Sequence, residues 1–134
     1  MTTTGRHLVD LDRATATGLL ASVPVGRLVW DGSAGLTAIP VNHVWQDDRV
    51  LIRTTAYSAI ARECDDQLVA YEADNLDAGS RTGWSVLVRG RASIQWNADA
   101  AEADTAPWPG GPRPLVLAIE VVSVEGRRLV PAEH

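Results

Sequence analysis

The chain has 134 residues, 46% of them hydrophobic and 22% charged, and a formal net charge of -5. That is enough chain for one buried core in a soluble globular protein, and the acidic balance argues against a sequence-independent nucleic-acid binder, which needs basic patches. All 12 basic residues are arginines, and the single cysteine, Cys64, excludes an intrachain disulfide or a thiolate metal cluster.

No apolar run approaches the ~20 residues that span a bilayer, and the opening MTTTGRH lacks the hydrophobic region of a signal peptide. The expectation is one cytoplasmic domain over residues 1–134, with tails at 1–7 and 131–134 and no membrane partner.

In chain order, Asp10 or Asp12 caps a helix that begins near Leu11, carries Leu19, Leu20 and Val23 on one stripe, and stops at Pro24. Val25–Asp31 alternates as a strand, Gly32–Gly35 is a turn, and Leu36–Trp45 is a second strand whose Pro40 marks an edge or a bulge. A short polar turn leads to Arg49–Thr55, so these two strands form an antiparallel hairpin. Ser58–Cys64 reads as a short helix and Leu68–Ala73 as a strand, with a polar loop over Asp74–Thr82.

Gly83–Trp96 alternates with period two: Trp84, Val86, Val88, Ala92 and Ile94 share one face, Ser85, Arg89, Arg91 and Gln95 the other. A brief helix at Asn97–Ala103 and a Pro/Gly-rich loop at Thr105–Arg113 follow. Leu115–Val124 reads as a strand buried on both faces, and Glu125-Gly126 as a turn before Arg127–Val130. The fold class is mainly β with short helices, a six- or seven-stranded antiparallel split β-barrel; long helices alternating with strands are missing, which argues against a doubly wound sheet.

Chemistry concentrates between Leu36 and Arg62. Arg53, Thr54 and Thr55 arrive just before a helix that opens at Ser58, and a cation with hydroxyls at a helix N-terminus favours an anion such as phosphate. Ser58 would also serve as a plain N-cap. His43, the one histidine in a structured segment, is either an acid–base candidate or a hydrogen-bonded core residue. Its use as a haem ligand is a third option. His7 and His134 lie in the expected tails, so a metal site is not expected.

Glu72 and Asp74 flank Ala73 and would point the same way; a carboxylate pair does acid–base work only in a cleft, and nothing in the sequence shows one around them. Glu120, on an apolar strand, is expected to be buried and paired with an arginine. Cys64 fits packing better than nucleophilic work.

The segments LLASVPVGRLVW, IPVNHVW, RVLIRTTAYS, VAYEAD and TGWSVLVRGRA, in that order, resemble the pyridoxamine 5′-phosphate oxidase-like family of flavin-binding split β-barrels, nearest its small actinobacterial and nitroimidazole-resistance branch. The resemblance runs from about Leu8 to Glu125. It implies a homodimer with two cofactor sites at the interface, commonly for FMN; some relatives hold the deazaflavin F420 or haem instead.

By motif, Pro40, Val41 and Asn42 match the strand beside the isoalloxazine ring. Arg53, Thr54 and Ser58 match the phosphate contacts, and Trp84 and Ser85 match a stretch delivered towards the cofactor. FMN is the expected cofactor, F420 the second, its acidic tail meeting Arg89 or Arg91, with haem last.

The implied activity is an FMN- or F420-dependent oxidoreductase acting on a small molecule. Relatives that bind FMN tightly often carry Ser-Lys where this chain has Ser58-Ala59; a charge-assisted contact is worth ~1.5–3 kcal/mol, so its loss weakens FMN about ten- to a hundredfold. The competing reading is a non-catalytic ligand-binding split barrel with a degenerate flavin site.

Overall fold

The computed structural model describes residues 6–96 and 115–131; the expected helix at Asn97–Ala103 and the loop at Thr105–Arg113 lie outside them. Among the described residues the chain forms, in order, β1 (Arg6–Leu11), α1 (Arg13–Ala21), β2 (Val25–Gly32), β3 (Gly35–Asn42), β4 (Val44–Gln46), β5 (Arg49–Thr54), α2 (Ala59–Cys64), β6 (Gln67–Asp77), β7 (Thr82–Trp96) and β8 (Leu115–Pro131). The strands make one antiparallel sheet in the order β3-β2-β6-β7-β8-β5-β4, with β1 also on β8. That is the mainly β, antiparallel split barrel expected from the sequence, with two strands more than its lower count.

Two features shape the sheet. β8 serves as a long spine: Leu115–Glu120 pairs with β5, while Gly126–Pro131 pairs with β1. The stretch from Gly35 to Gln46 does the reverse, pairing first with β2 and then with β5, so the two ends of the sheet are consecutive pieces of chain. The sequence suggested one strand over Leu36–Trp45, but it is broken at His43, where the backbone N–H leaves the ladder and donates to the Pro24 carbonyl at 2.9 Å.

Three boundaries differ from expectation. Arg6 and His7 belong to β1 rather than to a tail. The loop expected at Asp74–Thr82 is mostly strand: β6 runs on to Asp77, whose carboxylate accepts from the Gly79 N–H at 2.9 Å to make a tight turn. Glu125-Gly126 is not a turn, because β8 runs straight through it. Gly126 is there for packing: a Cβ on it would lie 2.7 Å from the Ala16 Cβ, where α1 crosses the strand.

The core lies between the inner face of the sheet and the two helices. α1 contributes Ala16 and Leu20, α2 contributes Ile60 and Cys64, and these meet Leu28, Tyr71, Val88 and Ile119 from the strands. Asp12 caps α1, accepting from the Thr15 N–H at 2.7 Å. The alternation in β7 is as read: Trp84, Val86, Val88 and Ala92 are all buried. A small second cluster of Leu51, Val116 and Ala118 lies on the opposite face of β5 and β8. Glu120, expected to be buried, is exposed, placed opposite Arg49 and Arg91 on the flanking strands. No helix among the described residues is long and apolar enough to cross a membrane.

Candidate functional site

Of the expected site residues, Pro40, Val41 and Asn42 lead into the break at His43, and Arg53, Thr54 and Ser58 lie at the end of β5. Among the described residues β3 is hydrogen-bonded to β2 alone, which leaves an unpaired strand edge on its other side. Pro40, which has no N–H to give, sits on this edge, as an edge strand tolerates. Pro40 is exposed, Val41 packs against the core, and Asn42 is half-buried.

His43 is 5% exposed. Its Nε2 lies 2.9 Å from the Leu20 carbonyl, which can only accept, so Nε2 carries the proton. Nδ1 is therefore an acceptor, and it takes the Tyr71 hydroxyl at 2.5 Å, the two rings meeting edge-on. Burial pushes the imidazole below its ordinary value, with the Leu20 bond pulling weakly upward. The ring is neutral and fully engaged, which fits a structural histidine and leaves no nitrogen for a metal. Tyr71 was not singled out in the sequence; burial pushes its phenol well above the usual range.

At the end of β5, Thr54 and Ser58 come together, their hydroxyl oxygens 2.6 Å apart. Ser58 donates to the Thr55 carbonyl at 2.9 Å and accepts from the Ala61 N–H at 3.1 Å, so Thr54 is the donor between them and Ser58 is saturated. Arg53 alternates to the other face of β5, the side of Leu51, while Thr54 turns inward with Ile52. Ala59 is exposed at the start of a helix of only six residues. Glu63, unremarked in the sequence, ties this helix to β2: it accepts from Trp30 Nε1 and the Ser33 hydroxyl, both at 2.9 Å, and these bonds hold its carboxyl below the ordinary value.

The outer face of the sheet carries a polar row. Pro40, Arg27 and Glu72 stand side by side on β3, β2 and β6, and Ser85 stands opposite Asp74. Arg27 reaches Glu72 at 3.0 Å and Asp74 at 3.4 Å. Burial first, and then Asp74 beside it, push the Glu72 carboxyl up to about 7.

Ser85 thus shares the outer face with Pro40 but lies three strands away, roughly 15 Å at ~4.8 Å per strand. Trp84 is turned inward and 7% exposed, away from that face. Arg89 and Arg91, considered for an F420 tail, are ion-paired within the chain to Glu125 at 2.5 Å and Asp66 at 3.2 Å. Cys64 is buried and its thiol is pushed up to about 11, first by that burial and then by Glu63, so it stays protonated.

Further along the same face is an open apolar cleft of about 390 Å³. Leu36, Leu68 and Val122 line it although they are 84%, 67% and 70% exposed. Exposed apolar side chains gathered in this way are a common feature of interaction surfaces.

Comparison with known proteins decides the family. The model of the pyridoxamine 5′-phosphate oxidase family matches residues 12–128. This chain belongs to that family. An uncharacterised protein of Mycobacterium tuberculosis is 42% identical over 93% of this chain and 88% of its own. The solved FAD binding protein of Mycobacterium smegmatis is 26% identical, with a TM-score of 0.73 over 91% of this chain and 98% of that one. A FAD-binding protein of Mesorhizobium loti is 19% identical with a TM-score of 0.77, covering 96% of this chain and all of its own, and shares the fold.

The residues present fit a flavin by their chemistry. The β3 edge offers main-chain carbonyls and, except at Pro40, N–H groups, which are the kinds of partner that the polar rim of an isoalloxazine ring uses. The Thr54–Ser58 pair offers hydroxyl groups of the kind that bind a phosphate, whereas the Arg53 side chain starts from the other face of β5.

Proposed function

We propose that this protein binds a flavin, FMN in the first place, at a homodimer interface and performs redox chemistry on a small molecule. The free edge of β3 beside the Thr54–Ser58 pair, in a chain of this family with a FAD-binding relative 26% identical, carries the reading. Val41 and Asn42 main-chain groups would orient the ring, and Arg53, Thr54 and Ser58 would hold the phosphate. A bound flavin supplies hydride or single-electron transfer. The inward-facing strands keep water from the side of the site that rests on the core.

A second copy of the chain is part of this proposal. Ser85 lies too far from Pro40 for both to touch one ring within a protomer, so in this reading a partner would bring one of them. The exposed leucines around the outer cleft give such a partner an apolar surface to cover. F420 is the second candidate and would have to draw Arg89 and Arg91 from their ion pairs with Glu125 and Asp66, and haem comes last, since both ring nitrogens of His43 are hydrogen-bonded.

Ala59 favours the second reading, a non-catalytic ligand-binding barrel whose flavin site has degenerated, since the first helical position carries no basic side chain and the nearby Arg62 is engaged with the Tyr57 carbonyl. Arg53→Ala tests the assignment: flavin affinity should fall at least tenfold while sedimentation still shows a dimer. Unchanged affinity would place the phosphate elsewhere.

A further inference from the structure

The break between β3 and β4 puts polar groups in the core, and they are met by a closed set of bonds. His43 donates through its backbone N–H to Pro24 and through Nε2 to Leu20, and Tyr71 donates to Nδ1 with its hydroxyl 3.4 Å from the Val41 carbonyl. Well-packed apolar side chains would hold this volume at least as well, because hydrogen bonds buried on folding add little net stability. What a saturated network adds is one fixed arrangement.

Here the arrangement fixed is that of residues 41–43, where the free β3 edge ends. Gly26, the register partner of Val41, is part of it: a Cβ there would sit 2.5 Å from the Tyr71 hydroxyl.

We propose that Tyr71, acting through His43, is a positioning residue for the flavin ring. It sets where the Val41–Asn42 main chain stands along the open sheet edge, without touching the ring. This rests on the flavin reading above. Both residues lie behind the strand, so their effect passes through the backbone, and it should show in the electronic environment of the ring as well as in affinity.

Tyr71→Phe removes only the hydroxyl, and Ile119→Val, a buried change in β8, serves as a control for a general loss of stability. Each is titrated with FMN and FAD, and the absorption band and midpoint potential of the bound flavin are recorded. Tyr71→Phe should weaken binding at least fivefold and shift the band and the potential, while Ile119→Val matches the unmodified protein in all three. A Tyr71→Phe protein that binds with unaltered affinity and spectrum overturns the proposal, as does a control that shifts equally.

A second arm needs no variant: on flavin addition the ¹⁵N signals of the His43 ring should move while those of His7 stay, and a silent His43 ring also overturns it. If the unmodified protein binds neither flavin, the proposed function itself fails and this inference with it.

Discussion

Gly26→Ala adds one methyl group at the most crowded point behind the site. Gly26 does not occupy the left-handed region, so the penalty is steric and not conformational. A Cβ there would lie 2.5 Å from the Tyr71 hydroxyl, 2.6 Å from a carbon of its ring and 2.6 Å from the Glu72 carbonyl. The carbonyl belongs to β6, locked to β2 at Arg27↔Glu72, and the tyrosine is fully buried. The ring must therefore shift and release His43.

Overpacking costs ~1–3 kcal/mol, and the lost hydrogen bond adds ~0.5–1.5 kcal/mol. Together these give about 1.5–4.5 kcal/mol, or roughly 10 °C in Tm for a domain of this size. Urea unfolding followed by circular dichroism measures it. In a Tyr71→Phe background the closest contact is gone, and the Gly26→Ala penalty should shrink by about 1 kcal/mol. A Gly26→Ala protein within ~0.5 kcal/mol of the original, or a penalty untouched by Tyr71→Phe, would refute the packing described for this site.

Ala59→Lys restores a cation at an exposed position and should tighten FMN about ten- to a hundredfold, read by fluorescence titration; no gain would mean that α2 does not face the phosphate. Glu72 gives a pH signature. Its carboxyl is raised from 4.5 to about 7 in the folded chain, so its stabilising contribution is present below 4.5 and lost as pH rises through about 7. Glu72→Gln should therefore gain stability relative to the unmodified protein between about pH 5 and about pH 8, by urea unfolding at both, and an offset equal at the two pH values would contradict it.

His43 has the opposite sign, because its lowered value makes its contribution complete above 6.5 and lost as pH falls through the folded value. His43→Gln should flatten the loss of stability on the acid side, and a slope unchanged by the substitution would show that His43 does not titrate differently on folding.

What the sequence made legible was local. The alternation of β7, the Asp12 cap and the stop at Pro24 each depend on residues a few positions apart, and the sheet and its class follow from such signals. What it concealed depends on partners far along the chain. His43 is structural because Tyr71 stands 28 residues away, and Glu63 holds Trp30 and Ser33 from at least 30 residues away. Gly126 looks like a turn residue until α1 is seen to press on it, and β6 looks like a loop beyond Asp74 until its pairing with β7 supplies the partner strand.

The sequence named candidate site residues but not where each stands. Thr54 and Ser58 do meet, but Arg53 turns to the other face of β5, Trp84 turns into the core, and Ser85 lies across the sheet.

The central claim, that this chain holds a flavin, is tested most directly by titrating the purified protein with FMN and with FAD while following flavin fluorescence. Saturable quenching in the micromolar range, at one flavin per protomer, is the expected result. Fluorescence that stays proportional to added flavin throughout, for both compounds, would contradict the claim.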